Sequence, residues 1–129
     1  MVPLPWKKMA TPIPGKDYVA LVSFLPLKQY HLIPKFLMLT VETQRQLARS
    51  RGLIGYSVYA QLMRKRFWTV SVWEDDLALM DFVQAVPHGR IMSQLAPHMG
   101  KTRFDQWTVH AEDIPMDWAA ARQRVLSKM

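Results

Sequence analysis

Histidine is the side chain best suited to move a proton near neutral pH. His88 stands between Pro87 and Gly89, where a helix interrupted by proline could open toward a neighbouring sheet. A neutral imidazole in such a gap could serve as a general base or as an axial ligand of haem iron. We therefore predict that His88 is the catalytic residue. The alternative is that it only hydrogen-bonds carbonyl groups at a helix junction.

The other three histidines, His31, His98 and His110, show no metal-ligand spacing with one another and are predicted to be surface residues. The chain contains no cysteine, which excludes disulfides, thiolate zinc sites, iron–sulfur clusters and a cysteine nucleophile. Any metal or haem would have to be held by His, Asp, Glu, Tyr or Met. We therefore expect the chain to bind either no cofactor or haem.

Two arginines could recognise an acidic ligand. The guanidinium group of Arg90 or Arg103 matches a carboxylate, including a haem propionate, in a forked geometry. The alternatives are a solvated surface arginine and an ion pair with one of the acidic residues 74–76. Of the two arginines, we predict Arg90 as a substrate-binding residue.

A mixed surface of rings and hydroxyl groups is predicted on a β-hairpin. Its strands are two β-rich runs, Leu53 to Met63 and Phe67 to Trp73, joined by the basic turn Arg64-Lys65-Arg66. Alternate residues of a strand share a face. One face is expected to collect Ser57, Tyr59, Gln61, Phe67, Thr69, Ser71 and Trp73, with Phe104, Gln106 and Thr108 of a later strand beside them.

A few polar groups among apolar ones are typical of a ligand pocket. From this face we predict the substrate-binding residues Tyr59, Ser71, Trp73 and Phe104. The alternative is that these are core aromatics with satisfied hydroxyl groups, or packing at a dimer interface. No Ser-His-Asp order, phosphate-binding glycine loop, HExxH helix or paired carboxylate signature is evident, which disfavours hydrolases, kinases and metalloproteases.

The elements that must position these residues follow from hydrophobic periodicity and from glycine and proline signals. Residues 1–16, which contain four prolines, predict an extended arm, and residues 17–129 predict one domain. The expected elements are a strand Asp17–Leu25, a helix Ile33–Arg51, the hairpin, a helix from Asp75 or Asp76 interrupted at Pro87, a helical piece His88–Ala96, a strand Arg103–His110 and a tail helix from Pro115 or Asp117 to Met129.

This order predicts an α+β protein with the ferredoxin-like arrangement β-α-β-β-α-β, a four-stranded antiparallel sheet with helices on one face. Both alternating sets of the first strand are apolar, Tyr18, Ala20, Val22 and Phe24 on one side and Val19, Leu21 and Leu25 on the other. Two helices can cover only one face. We therefore predict a homodimer that buries the second face, the alternative being that the arm and the tail helix cover it.

The 129 residues carry a net charge of +7, which raises the question of nucleic-acid binding. Only Arg64-Lys65-Arg66 forms a tight basic run, and the other basic residues are scattered, so no nucleic-acid partner is expected. The first residues lack the order of a signal peptide, and no long apolar run occurs. We predict a cytoplasmic protein without a membrane partner.

Four segments of the chain resemble the dimeric α/β-barrel superfamily, in particular antibiotic-biosynthesis-monooxygenase-like proteins and a branch akin to spheroidene monooxygenase. They are Gly52-Leu-Ile-Gly-Tyr-Ser-Val, Phe67-Trp-Thr-Val-Ser-Val-Trp-Glu-Asp, Phe82-Val-Gln-Ala-Val-Pro-His88 and Thr102-Arg-Phe-Asp-Gln-Trp-Thr-Val. The resemblance covers about Asp17 to His110. It implies a dimeric α/β barrel, but fold is a poor guide to reaction.

Members of the superfamily include cofactor-independent oxygenases, haem-binding and haem-degrading proteins, isomerases and dehydratases. The resemblance, together with the mixed face of the hairpin, favours a monooxygenase-like oxidoreductase acting on a small apolar or aromatic molecule, with His88 assisting proton transfer or binding haem. Two alternatives remain at this stage: a non-catalytic dimer that binds haem or another hydrophobic ligand, and a structural or interaction module without a pocket.

Overall fold

A five-stranded antiparallel sheet forms the centre of the protein, for which a computed structural model describes residues 6–84, 93–100, 102–114 and 118–127. The strands are β1 (Lys7–Lys8), β2 (Asp17–Pro26), β3 (Leu53–Gln61), β4 (Arg66–Trp73) and β5 (Arg103–His110). Their order across the sheet is β1-β3-β4-β2-β5, and all neighbours pair antiparallel. The ferredoxin-like core predicted from the sequence is confirmed, with β1 of the arm as an additional fifth strand.

Three helices accompany the sheet in the described residues: α1 (Ile33–Ala48), α2 (Asp76–Gln84) and α3 (Trp118–Leu126). Helix α1 has a proline in its first turn, where a missing backbone donor costs nothing. It ends three residues earlier than predicted, and Gly52 turns the chain into β3 with φ of +80°, a conformation that glycine adopts without strain. Residues 93–95 are also helical and lead into the short 3₁₀ turn Ala96–His98.

Helices α1 and α2 pack on one side of the sheet, here called the helix face. Two apolar clusters fill this layer. One joins Phe36 and Leu39 of α1 to Phe67 of β4, and the other joins Leu79 of α2 to Trp73 of β4. Burial of each large apolar side chain stabilises the fold by about 1.5–3 kcal/mol. The helix face is therefore covered as the β-α-β-β-α-β order requires.

The opposite side of the sheet, here called the tail face, is covered by the chain's own arm and by α3. Trp6 of the arm packs on the cluster that contains Tyr18 and Val72. Ala121 and Val125 of α3 are almost completely buried in a second cluster with Val22, Phe24 and Trp68. Both faces of the sheet are buried, as the strand pattern requires. The second face is covered by the arm and the tail helix, which was the alternative to a homodimer. The argument for a homodimer from an uncovered face was wrong, although the dimer itself remains a prediction.

The hairpin β3–β4 differs in register from the sequence-based prediction. Its connection is four residues long, because Gln61 pairs with Arg66 and a 3₁₀ turn spans Leu62–Arg64. A three-residue connection would have placed odd-numbered residues of β3 opposite odd-numbered residues of β4. The four-residue connection instead places Tyr59 opposite Trp68. A shift of one residue moves every side chain of a strand to the other face. The predicted hairpin surface was therefore wrong for the whole of β3.

No helix in the described ranges is both long and apolar enough to cross a membrane.

Candidate functional site

A cavity of about 530 Å³ lies between the helix face of the sheet and helices α1 and α2. Most of its lining is apolar, with Leu39 and Leu47 contributed by α1, Leu79 and Phe82 by α2, and Leu21 by strand β2. Cavities of this size bind small organic molecules, and an apolar lining with a few polar groups sets the orientation of the ligand. This cavity is the candidate functional site.

The polar groups of the cavity are clustered on its floor, which the sheet forms. Tyr56 and Ser71 are direct neighbours across β3 and β4, and Ser23 and Thr69 are direct neighbours across β2 and β4. Side chains opposite each other in an antiparallel pair lie about 4.5–5.5 Å apart at Cβ. The floor thus presents four hydroxyl groups within one patch surrounded by aliphatic and aromatic side chains.

The α1 wall adds the side-chain amide of Gln44 and two threonines. Thr40 and Thr43 of α1 line the cavity, but each hydroxyl group donates to the carbonyl oxygen four residues earlier in its own helix, at 2.9 and 3.0 Å. This bond occupies the only donor of the side chain. The methyl group and the oxygen of each threonine remain for a ligand, so hydrogen-bond donors come from the hydroxyl groups of the floor and from the amide of Gln44.

Tyr56 is the most informative residue of the floor, and the sequence-based prediction missed it. Its side chain is buried, lines the cavity and makes no hydrogen bond with another described residue. Its hydroxyl oxygen is not among the buried polar atoms that lack a partner, so the hydroxyl group faces the cavity. Burial raises the pKa of the Tyr56 phenol above its ordinary value, because the charged form is disfavoured away from water. Tyr56 is therefore a neutral hydrogen-bond donor at physiological pH.

Ser71 was predicted to bind substrate, and it lies on the cavity floor beside Tyr56. Its hydroxyl oxygen accepts a hydrogen bond of 2.9 Å from the indole N–H of Trp73. A hydroxyl group has one donor and can still donate when its oxygen accepts. The indole thus fixes the position of the oxygen and leaves the proton available to a ligand.

Trp73, also predicted to bind substrate, is placed differently. It is completely buried, packs against Phe82 with ring centroids 5.1 Å apart, and is absent from the cavity lining. Its only polar group is used on Ser71. Trp73 shares the helix face with the floor residues, as predicted, but it supports the site from within the core and does not line it.

Phe104, another predicted binding residue, stands where the cavity reaches solvent. It lies on the edge strand β5, lines the cavity, and is 49% exposed; Met80 of α2 lines the same opening and is 46% exposed. Beside them, the side-chain amide of Gln106 donates a hydrogen bond to Asp76 at the start of α2. This bond ties β5 to α2 across the mouth of the cavity.

Tyr59 does not belong to this site. The four-residue hairpin connection turns it to the tail face, where its ring contacts Trp118 of α3 edge-on, with centroids 5.7 Å apart. The prediction that Tyr59 shares a face with Ser71 was wrong, because it assumed a shorter turn. Tyr56, assigned to the opposite face by the same assumption, takes its place.

His88 and Arg90, the predicted catalytic and acid-binding residues, lie outside the described residues. His110 lies at the far end of β5, away from the cavity, and contacts Asp17. His98 lies in the turn Ala96–His98. In the ranges that the structure describes, no three His, Asp or Glu side chains come together as a metal site would require.

Haem can be tested against the described lining. Tyr56 and Met80 are the lining residues of a type that ligates haem iron, and no lysine, arginine or histidine lines the described part of the cavity. A haem there would have a phenol or thioether ligand and no described cation for its propionates. These residues do not fit haem, and we derive no step through it.

No protein-family model matches the sequence, and no curated protein matches it. Solved structures match the fold. SnoaB from Streptomyces nogalater, a cofactor-independent oxygenase, superposes with a TM-score of 0.61 at 14% identity, covering 74% of this chain and 95% of SnoaB. An antibiotic biosynthesis monooxygenase superposes with a TM-score of 0.58 at 16% identity, covering 70% of this chain and 93% of that protein.

A proposed monooxygenase from Lactobacillus acidophilus NCFM superposes with a TM-score of 0.67 at 9% identity. The match covers 82% of this chain but 49% of that protein, so the chain spans about half of its length. Identities of this size establish a common fold and leave the reaction open. The fold of the antibiotic-biosynthesis-monooxygenase-like proteins, predicted from four sequence segments, is confirmed.

Proposed function

We propose that the protein is a monooxygenase-like oxidoreductase that acts on a small apolar or aromatic molecule held in the cavity. The observation that carries this proposal is the patch of hydroxyl groups, Tyr56, Ser71, Ser23 and Thr69, at the floor of a mainly apolar cavity of about 530 Å³. An electron-rich ring with one or two oxygen substituents matches such a lining. The fold shared with a cofactor-independent oxygenase supports the reaction type.

Monooxygenation without a cofactor requires a substrate that itself reduces dioxygen. A phenol whose keto tautomer contains a CH₂ group can do this. That CH₂ group reacts with O₂ to give C=O and H₂O, and the substrate carbon supplies all four electrons. Removal of a proton first produces an enolate, which is the species that transfers electrons to oxygen. The protein then has two tasks, to remove that proton and to stabilise the charge that develops on the substrate oxygen.

The floor residues are suited to the second task. Neutral Tyr56 and the Ser71 hydroxyl group, fixed by Trp73, are two neighbouring donors in a site of low polarity. Donors that are positioned in advance stabilise a developing oxyanion strongly, and removal of one such donor from an enzyme typically lowers kcat by about 10²–10³. Tyr56 and Ser71 are therefore proposed to hold the substrate oxygen.

The first task needs a base, which the described lining does not contain. Tyr56 is the one titratable side chain in that part of the lining, and its raised pKa makes it a donor rather than a base. We propose His88 as the base and Arg90 as a partner for an acidic substituent. Both assignments rest on the sequence.

The proposal is tested by oxygen uptake and product analysis with a panel of polycyclic phenols. Tyr56→Phe and Tyr59→Phe form a matched pair, since both lie on β3, lose the same hydroxyl group and face opposite sides of the sheet. We expect Tyr56→Phe to lower kcat by about 10²-fold and Tyr59→Phe to retain activity. His88→Ala should abolish turnover while ligand binding persists. Equal activity of the two tyrosine variants would contradict the assignment of the site.

A second candidate function is non-catalytic binding of a hydrophobic ligand in the same cavity. The specific observation in its favour is the lack of a base in the described lining. Binding of a polycyclic phenol that is weakened by Tyr56→Phe, without oxygen uptake by the unchanged protein, would establish this function. A Soret band after addition of haem, abolished by His88→Ala, would instead show that the protein binds haem through His88.

A further inference from the structure

Three arginines surround one end of the tail face, on the side of the sheet away from the cavity. Arg66 begins β4, and Arg103 begins β5 directly opposite Phe24 of β2. Arg122 comes from α3, which packs over the same end. Three separate elements thus bring a guanidinium group to one region of the surface.

Aromatic rings hold two of these groups. The guanidinium carbon of Arg122 lies 5.0 Å from the ring centre of Tyr59 and 5.5 Å from that of Trp68, and Arg66 lies 5.9 Å from the ring centre of Phe24. Phe24 and Trp68 are themselves in contact, with centroids 4.6 Å apart. Stacking on a ring restrains a guanidinium group and leaves its edge free for hydrogen bonds.

These arginines have no acidic partner in the part of the chain that the structure describes. Among the described residues none of the three forms an ion pair, and the nearby carboxylate of Asp105 is engaged by Arg124 instead. The Nε atoms of Arg103 and Arg122 are buried without a hydrogen-bond acceptor. Their terminal nitrogens are not buried without a partner and make no hydrogen bond with another described residue, so each group has its Nε turned inward and its outer edge available.

The donors that a ligand could reach are the terminal nitrogens at the outer edges, because the Nε atoms face inward. Three cations without a neutralising carboxylate also repel one another. An anion bound between them would neutralise the charge and accept hydrogen bonds from the outer edges. Guanidinium groups bind phosphate and carboxylate groups in the same forked geometry, but only phosphate brings up to two negative charges and three acceptor oxygens to one atom.

We propose that Arg66, Arg103 and Arg122 form a binding site for a phosphate group of a small ligand, separate from the cavity. The site lies at the end of the sheet where the hairpin connection and the start of β5 meet α3. Because all three elements contribute, the phosphate group would also tie the tail helix to the sheet.

Isothermal titration of the whole protein with inorganic phosphate, at constant ionic strength set by chloride, tests the site. We expect saturable binding that Arg103→Gln and Arg122→Gln each weaken at least tenfold. Arg122→Lys keeps the charge but loses the fork, and should give an intermediate loss. Arg51→Gln is the matched control, because Arg51 is exposed and precedes the opposite end of β3.

Since Arg122 packs on buried rings, its variants are checked by thermal unfolding. Arg66→Gln replaces an exposed residue and gives a second measurement that does not disturb the core. Absence of phosphate binding, or an equal loss in Arg51→Gln, would overturn the proposal. Binding of benzoate without binding of phosphate would also overturn it, because the site would then select a carboxylate. Tyr56→Phe should leave phosphate affinity unchanged, which separates this result from the fate of the cavity.

Discussion

Trp68 and Trp73 lie five residues apart on the same strand and serve opposite faces of the sheet. Trp68 packs with Phe24 and Val125 on the tail face, and Trp73 packs with Leu79 on the helix face. The odd separation made this division predictable from the sequence, because alternate residues of a strand point in opposite directions. What the sequence did not indicate was that Trp73 would lie behind the cavity floor and only its N–H would reach Ser71.

The buried position of Trp73 leads to a prediction about stability. Trp73→Ala removes a completely buried indole and the hydrogen bond to Ser71. We expect a loss of about 3–5 kcal/mol in the free energy of unfolding, measured by urea denaturation. Phe104→Ala removes a half-exposed ring and should change stability by no more than about 0.5 kcal/mol while weakening ligand binding. Similar losses of stability for both variants would contradict this view of the core.

His110 and Asp17 provide a second prediction at the level of single residues. The two side chains are in contact across β2 and β5, and the hydrogen bond to Asp17, followed by the charge of Asp17, raises the pKa of His110 above its ordinary value of 6.5. A raised pKa in the folded state means that the protonated form favours folding. This contribution is fully present below pH 6.5 and disappears as the pH rises through the higher folded-state pKa.

The unfolding midpoint should therefore fall as the pH increases above 6.5, and Asp17→Asn should reduce this dependence. Both side chains are exposed, so the effect will be small and sensitive to salt. His98→Asn is the control and should preserve the dependence. Direct titration of the His110 ring by NMR gives the folded-state pKa, and a value at or below 6.5 would refute the assignment.

Among the elements, strands and helices were predicted well and their connections were not. The bounds of β5 agree with the prediction, and β2 and α1 begin where expected. Hydrophobic periodicity determines these features locally. The length of the hairpin connection depends on which residues pair across the strands, and the run Arg64-Lys65-Arg66 suggested a turn one residue shorter than the observed one. That single residue exchanged Tyr56 and Tyr59 between the faces.

The arm was expected to be extended, but its attachment could not be predicted because it depends on one close approach. A Cβ atom at Gly55 would lie 2.4 Å from the Trp6 ring, so only glycine lets the indole lie on β3. Strand β1 pairs with β3 at the same place, with Lys8 opposite Gly55. Pairing of β1 with the sheet thus depends on the absence of a side chain at Gly55.

Gly55→Ala should displace Trp6 and release β1 from the sheet. We expect a loss of about 1–3 kcal/mol in the free energy of unfolding, as for other overpacked sites, and faster proteolysis within the arm. In a Trp6→Ala background the same substitution should cost much less, since the ring it would strike is gone. A double-mutant cycle measures this coupling. Additive effects of the two substitutions would show that the contact does not hold the arm.

For the whole molecule, the cover of the tail face determines how the chain can associate. The sequence showed that both faces of the sheet must be buried but could not show which group would cover the second face. Helix α3 has Ala121 and Val125 inward, and its weakly amphipathic sequence, with arginines at 122 and 124, gave little indication of this role. Any dimer must therefore use another surface or displace α3.

Val125→Asp tests this cover against Leu126→Asp, the adjacent residue on the same helix. Val125 is 1% exposed and Leu126 is 42% exposed, so only the first substitution buries a carboxylate in the apolar cluster of Val22, Phe24 and Trp68. We expect Val125→Asp to detach α3, expose this cluster and raise the mass measured by light scattering, because exposed apolar surface promotes association. Leu126→Asp should have the mass of the unchanged protein. If Val125→Asp kept the mass of the unchanged protein and its resistance to protease, α3 would not be the cover of the tail face. If the unchanged protein were already a dimer and Val125→Asp remained a dimer, the two copies would meet away from α3.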